Sequence, residues 1–397
     1  MTDPVPDIAE RRVRRASVLL EAAWRHRLLT RPKLADLRAR ADAVMREEGA
    51  AAPPWREAFE RLLESLEHEA ALNPVGLTFA TVQLGGLLRQ RARAARLWRA
   101  HPEIAAVELA EPIVVLGQMR SGTTRLQRLF GCDPRLAHTR FYEVTEPVPG
   151  AFDLRLIKSW AQLALLDKLN PALSAVHPSG PRQVDEPFGL LAVSFYGAQF
   201  EAQWRVRGFA RWWESQDRSW VYGEFKHLLQ TLAWQRGSAG GQPFVLKAPQ
   251  FMEDLTPLVT AFPDARLICL NRDPQQVVAS TASLAWQQMR IQSDAADRSW
   301  IGAEWQRKTA LREAIAAEVR AAHPEVPQIE TSFAAMNADW RGEMRRLYAF
   351  LGLELPAWVE ARMARYLADA EASGYRKHSY RAEDFGLGTH LPQPATN

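Results

Sequence analysis

The residues best equipped for chemistry sit in two short segments. In GQMRSGTT, four residues separate Gly117 from Gly122, which is the frame of the phosphate-binding loop GxxxxGK[ST]. Glycines at those places let backbone N–H groups approach a phosphate closely, and the helix that follows adds its positive end. Where a nucleotide triphosphatase carries lysine, this chain has Thr123. That lysine reaches the β- and γ-phosphates. Its absence argues against triphosphate cleavage and suits a shorter anion, a 5′ phosphate bearing one further tetrahedral group. Gln118 and Met119 open the loop, Arg120 supplies charge, and Ser121, Thr123 and Thr124 supply hydroxyls. The second segment is NRDPQQVVAS, in which Ser280 follows Arg272 by eight residues, two helical turns. An arginine leaving a strand can hold another phosphate bidentately, with a serine in support. Arg-Asp-Pro alone also suits a helix start steadied by an ion pair; its place after a strand and downstream of a lysine-free loop favours the anion site.

Such loops need a parallel sheet behind them. PIVVLG, from residue 112, is a β-branched run ending in glycine, and TRLQRLFGC after it has helical spacing. The pattern returns as PFVLKAP (243–249) before MEDLTPLVTAF, and as ARLICLNRDP (265–274) before QQVVASTASLAW. It returns more weakly as VPQIETSF (326–333) before MRRLYAFLGLEL. Both loops would then lie at the carboxyl edge of the sheet, where open α/β folds bind ligands. No strand signal precedes residue 112. The preface reads as helix, with Pro53 and Pro54 at a helix start and Asn73-Pro74 breaking the run. The expected architecture is therefore an α/β core, 112–397, with a P-loop-like parallel sheet flanked by helices. It carries a helical N-terminal extension, 1–111, and a tryptophan-rich helical insertion, 152–237.

Composition narrows the class further. The 397 residues are 47% apolar and 24% charged, which is ordinary globular usage, and no run of about 18 apolar residues marks a membrane span. The polar, then basic, N-terminus lacks the apolar stretch of a signal peptide. Cys132 and Cys269 cannot make a disulfide framework, and no Cys/His cluster has zinc spacing. The reading is cytoplasmic and metal-free. Net charge is +4, with arginines grouped at Arg11, Arg12, Arg14 and Arg15 and again from Arg89 to Arg99. These suit a solvated helix face, and without interleaved aromatics or a known module they do not indicate nucleic acid.

PIVVLGQMRSGTTRLQRLF resembles the 5′-phosphosulfate loop of PAPS-dependent sulfotransferases, and LNRDPQQVVAS resembles their 3′-phosphate motif. PAPS, 3′-phosphoadenosine 5′-phosphosulfate, carries the two separated anionic groups that the two segments require. PFVLKAPQFMEDLTPLVTAFPDARLI, HSYRAEDFGL and the helical preface also resemble the bacterial members, so the likeness spans nearly the whole chain. It implies that Arg120 neutralises the transferring sulfonate. It further implies that Lys247, ending FVLK, contacts the bridging oxygen, and that Glu143, in FYEVTEP, is the catalytic base. The chain departs from the family at Gln250 and Asn271, where histidines are frequent. Phe333 replaces the usual tyrosine and keeps a stacking face without its hydroxyl. The RKG motif of cytosolic members is missing, and Arg376 and Lys377 are the candidates to supply charge near the 3′ phosphate.

The implied reaction is sulfonate transfer from PAPS to a hydroxyl or amine acceptor by in-line displacement, without a metal. His138 and the pair Asp185–Glu186 rival Glu143 as base, although Glu143 also suits a helix-capping or surface carboxylate and Asp185–Glu186 the ordering of a helix start before Pro187. Trp204, Trp212, Trp213, Trp220 and Trp234, with Phe195, Tyr196, Phe200 and Phe209, suit the walls of an apolar acceptor site or simply core packing. The acceptor is a small molecule or lipid. Two other readings stay open: a P-loop nucleotide kinase or phosphotransferase, and a non-catalytic nucleotide-binding homologue. Oligomeric state and contact with a membrane surface are not decided by sequence.

Overall fold

Strand β1 (Ile113–Leu116) is fully buried along its length, as its uninterrupted β-branched run demands of a central parallel strand. The computed structural model describes residues 7–171, 179–237, 241–372 and 381–388. Arg376 and Lys377 lie outside them. Two compact units emerge: residues 110–138, 242–286 and 297–397 form one, and 1–109, 139–241 and 287–296 form the other.

The first unit holds a five-stranded sheet in the order β2-β3-β1-β4-β5, with every neighbour parallel. Its other strands are β2 (Ala137–His138), β3 (Phe244–Lys247), β4 (Arg266–Asn271) and β5 (Gln328–Ser332). Ile113 and Val115 of β1 point to one face with Val245, Ile268 and Leu270. There they meet Leu126, Leu129 and Phe130 of the Thr123–Phe130 helix and Met344, Leu347 and Tyr348 of the Trp340–Phe350 helix. Each such side chain, once buried, is worth roughly 1.5–3 kcal/mol. Val114, Leu246 and Leu267 point the other way and are equally buried. The four strands read from the sequence are all present. β2, only two residues long, has no pattern in the sequence that marks it.

The Arg298–Ala322 helix is fastened to the segment after β3 by a buried triad. Glu253 takes Lys308 Nζ at 2.6 Å and Arg312 Nη2 at 2.8 Å. Burial alone would raise the Glu253 carboxyl, but the two cations overcome it and hold the group lowered to about 2.

The second unit is helical. Asn73 caps the Pro74–Ala100 helix by accepting from Gly76 N at 2.8 Å, with Pro74 at the first helical position. Gly76 has to be glycine, since a Cβ would fall 2.0 Å from Gln292 O. The Asp36–Glu48 helix is part of the helical preface. Arg91 is buried and bridges Glu224 and Glu48 at 2.8 and 3.0 Å. In the insertion, Phe195, Tyr196, Phe200, Trp204, Phe209 and Trp213 are all buried. Phe200 stacks on Trp204 at 5.7 Å, and Tyr196 meets Trp213 edge-on at 4.8 Å. These six aromatics are core.

Candidate functional site

The loop after β1 is built on two glycines that nothing else could replace. At Gly117 a Cβ would lie 2.7 Å from Thr123 Cγ2 and 2.8 Å from Leu270 O. Gly122 has φ +97°, and its Cβ would strike Phe333 at 2.8 Å. The loop closes on itself through Ser121 Oγ, which donates to Gln118 O at 2.7 Å. Between the glycines, Arg120 adopts φ +66°. That left-handed conformation costs an L-residue about 1–2 kcal/mol, so it persists only where neighbours hold it.

The neighbours come from β4 and the helix behind it. Arg272 donates Nη1 to Arg120 O at 2.6 Å and Nη2 to Gln276 Oε1 at 3.0 Å. Its guanidinium lies 4.2 Å over the Phe333 ring. Ser280 Oγ accepts from Arg120 Nε at 3.0 Å, and Thr281 Oγ1 donates to Met119 O at 3.3 Å. The far wall is the Arg298–Ala322 helix, where Gln118 Nε2 donates to Thr309 O and Glu313 Oε1. Lys247 follows Val245 by two residues on β3 and so shares the face covered by the Thr123–Phe130 helix. Buried to 2% exposure, it donates Nζ to Thr124 Oγ1 at 3.1 Å. Gln118, Met119, Arg120, Ser121, Gly122, Thr123, Thr124, Lys247, Arg272, Ser280 and Phe333 thus converge at the carboxyl ends of β1, β3, β4 and β5. Gln276, Thr281 and Glu313 join them unannounced. Gln276 and Thr281 lie on the helix already read after Arg272, whereas no local pattern marks Glu313, 195 positions after Gln118.

Glu143 belongs to the helical unit and is 3% exposed. Its carboxylate accepts from Arg140 N at 3.0 Å, capping the Phe141–Thr145 helix, and from Tyr142 Oη at 3.0 Å. Arg236 adds Nε at 3.2 Å and Nη2 at 2.6 Å. Four donors therefore occupy the roughly four lone-pair sites of one carboxylate. Burial, then the Glu143 charge, raises the Tyr142 phenol above its ordinary value, which keeps it a donor. Of the rivals, His138 ends β2 in the sheet unit and is buried. Asp185 Oδ1 accepts from Glu186 N at 2.8 Å, and its backbone pairs with Thr139, which is the arrangement of an ordered helix start.

A sequence profile described as the Sulfotransferase family matches residues 112–357. The chain belongs to the sulfotransferase family. Among solved structures, this sulfotransferase is similar to sulfotransferase STF1 from Mycobacterium tuberculosis H37Rv, with a TM-score of 0.74 and 24% identity over 89% of this chain and 95% of that one. It is also similar to sulfotransferase STF9 from Mycobacterium avium, with a TM-score of 0.72 and 23% identity over 88% and 92% of the two chains. At these identities the likeness is one of fold. A comparison with curated proteins finds no match. Among the described residues of the sulfotransferase, no group of three His, Cys, Asp or Glu side chains could hold a metal ion, and no helix is long and apolar enough to cross a membrane.

Proposed function

We propose that the sulfotransferase takes its sulfonate from PAPS and passes it to a hydroxyl or amine of a small-molecule or lipid acceptor. The observation that carries this reading is the junction of the two segments. Arg272 grips the Arg120 carbonyl while Ser280 meets the Arg120 side chain, so the two segments, far apart in sequence, meet at one edge of the sheet, which supports their joint service as an anion site. PAPS, when bound, supplies an activated S–O–P linkage. The residues present fit it: two glycines keep side chains out of the loop, and hydroxyls, two arginines and a buried lysine border it.

In this reading the amides of residues 118–124, with Ser121, Thr123 and Thr124, hold the 5′ phosphosulfate. Arg272 and Ser280 hold the 3′ phosphate, with Arg376 and Lys377 adding charge, and the Phe333 ring offers the base a face. Arg120 balances charge on the transferring group. Lys247, positioned by Thr124, stabilises the oxygen that leaves; fixed donors of this kind are worth about 3 kcal/mol each. The acceptor proton is assigned to Glu143, for which one of its four donors has to give way. Tyr142 is the uncharged side chain among them and the one most cheaply displaced.

The test is calorimetric titration with phosphoadenosine phosphate and with ATP, each with and without Mg²⁺. Metal-independent binding of the bisphosphate that Arg272→Ala weakens supports the reading. A preference for ATP with Mg²⁺ replaces it with a phosphotransferase, and binding of neither leaves a non-catalytic homologue.

A further inference from the structure

The Arg155–Leu169 helix of the helical unit shows large apolar side chains to solvent. Its buried residues are Arg155, Ser159 and Leu169, two of them polar. Three of its large apolar side chains point outward, Ile157 at 67% exposure, Trp160 at 66% and Leu165, while Leu156, Leu163 and Leu166 are half-buried. Phe152, at 83%, and Leu154 extend the same outward display just before the helix. The inward residues account for themselves. Arg155 pairs with Asp153 at 2.8 Å and donates to Pro147 O, while Leu169 packs with Val13, Val75 and Ile291. Single exposed apolar residues are ordinary, but a tryptophan, a phenylalanine and three aliphatics displayed along one short segment mark a surface that meets something.

Charge identifies what it meets. The Ile8–Arg25 helix lies against the end of this one, with Val13 beside Leu169 and Arg12 Nη1 donating to Lys168 O at 2.7 Å. That helix carries five arginines against two glutamates, a balance of +3, and Arg11, Arg12, Arg14 and Arg15 are all exposed. The Arg155–Leu169 helix adds little to that balance, because Arg155 is buried against Asp153 and Lys158 pairs with Glu146 at 3.0 Å. A protein partner suited to the apolar display alone would not need this excess. A sheet of anionic headgroups over acyl chains satisfies both at once: aromatic and aliphatic side chains enter the interface while arginines and lysines stay among the phosphates. We infer that the segment 152–168, flanked by the arginines of the first helix, docks this protein on an anionic lipid bilayer. The inference is independent of the donor and acceptor.

Flotation of the full chain tests it, using vesicles of phosphatidylcholine alone and of phosphatidylcholine with phosphatidylglycerol in equal parts. The chain is expected to float with the anionic vesicles and to release at high salt. Ile157→Ser with Trp160→Ser should weaken binding by roughly tenfold per side chain. Arg11, Arg14 and Arg15 changed to Gln, which leaves the Arg12 contact intact, should weaken it about fivefold per charge. Because serine variants of a helix can lose stability, Trp160→Phe supplies a second measurement. It keeps the fold and should remove part of the tryptophan quenching produced by brominated lipid. Absence of flotation, equal binding to neutral vesicles, or wild-type binding by the variants overturns the proposal. So does a dimeric wild type that Trp160→Ser converts to monomer, which would assign the face to a second copy of the chain.

Discussion

Replacing Arg272 by alanine tests the cradle at its keystone. Two losses combine. On the proposed assignment the guanidinium no longer meets the second anionic group, and a charge-assisted contact of that kind is worth about 2–3 kcal/mol. The Arg120 carbonyl, held at 2.6 Å, also loses its donor, so a backbone segment at φ +66° is no longer pinned. Re-ordering it on binding adds about 1 kcal/mol, the lower end of what such a conformation costs. The total is about 3–4 kcal/mol, or roughly 150- to 1,000-fold in Kd. The assay is calorimetry with phosphoadenosine phosphate, accompanied by a thermal melt to show that the variant is folded. Arg272→Lys keeps the charge but not the fork and can serve only one of the two oxygens, so it should fall between wild type and alanine. A loss smaller than threefold in a folded Arg272→Ala would refute the assignment of the second anion site and with it the argument from the junction.

The strained loop residue makes a separate prediction. Arg120→Gly should be about 1 kcal/mol more stable than Arg120→Ala in urea unfolding, because only glycine takes φ +66° freely, although both lose the side chain. Glu143→Gln should leave bisphosphate binding intact and slow turnover roughly 100-fold with a validated acceptor, whereas Tyr142→Phe should slow it little; unchanged turnover in Glu143→Gln removes Glu143 as base. Glu253→Gln should destabilise the fold by about 3–5 kcal/mol at neutral pH, because it leaves Lys308 and Arg312 buried without their counter-charge. The Glu253 carboxyl is depressed in the folded state, so its stabilisation is present above its ordinary value of 4.5 and is lost as pH falls toward about 2. Unfolding curves for wild type and Glu253→Gln should therefore converge across that window, and a constant gap would show that the charge is not the source.

The loop was legible in sequence because glycine spacing reports backbone geometry directly. Gly117 and Gly122 occupy places where a Cβ collides, and no other residue can be written there. Arg272 and Ser280 were legible for a related reason, since strand end and helix turn give fixed spacings. The features without a local sequence signal are non-local or very short. β2 has two residues and no periodicity to read. Gln118 reaches a carboxylate 195 positions away, and Arg236 reaches Glu143 from 93 positions away. The aromatic insertion was ambiguous for a different reason: tryptophans that line a pocket and tryptophans that fill a core share a composition. Only burial separates them, and it assigns six of these aromatics to the core.

The strand order has a consequence for how the protein is made. β1 sits between β3 and β4, so the loop it carries leaves the ribosome some 130 residues before its first flanking strand and some 150 before Arg272. Most of the helical unit, from residues 1–109 and 139–241, is synthesised before either strand exists. A nascent chain that stops short of residue 272 carries a glycine loop with nothing to hold its one left-handed arginine. The junction of the loop with Arg272 is therefore a late event in biogenesis, reached only when distant parallel pairings close, and such pairings are the slow steps of folding.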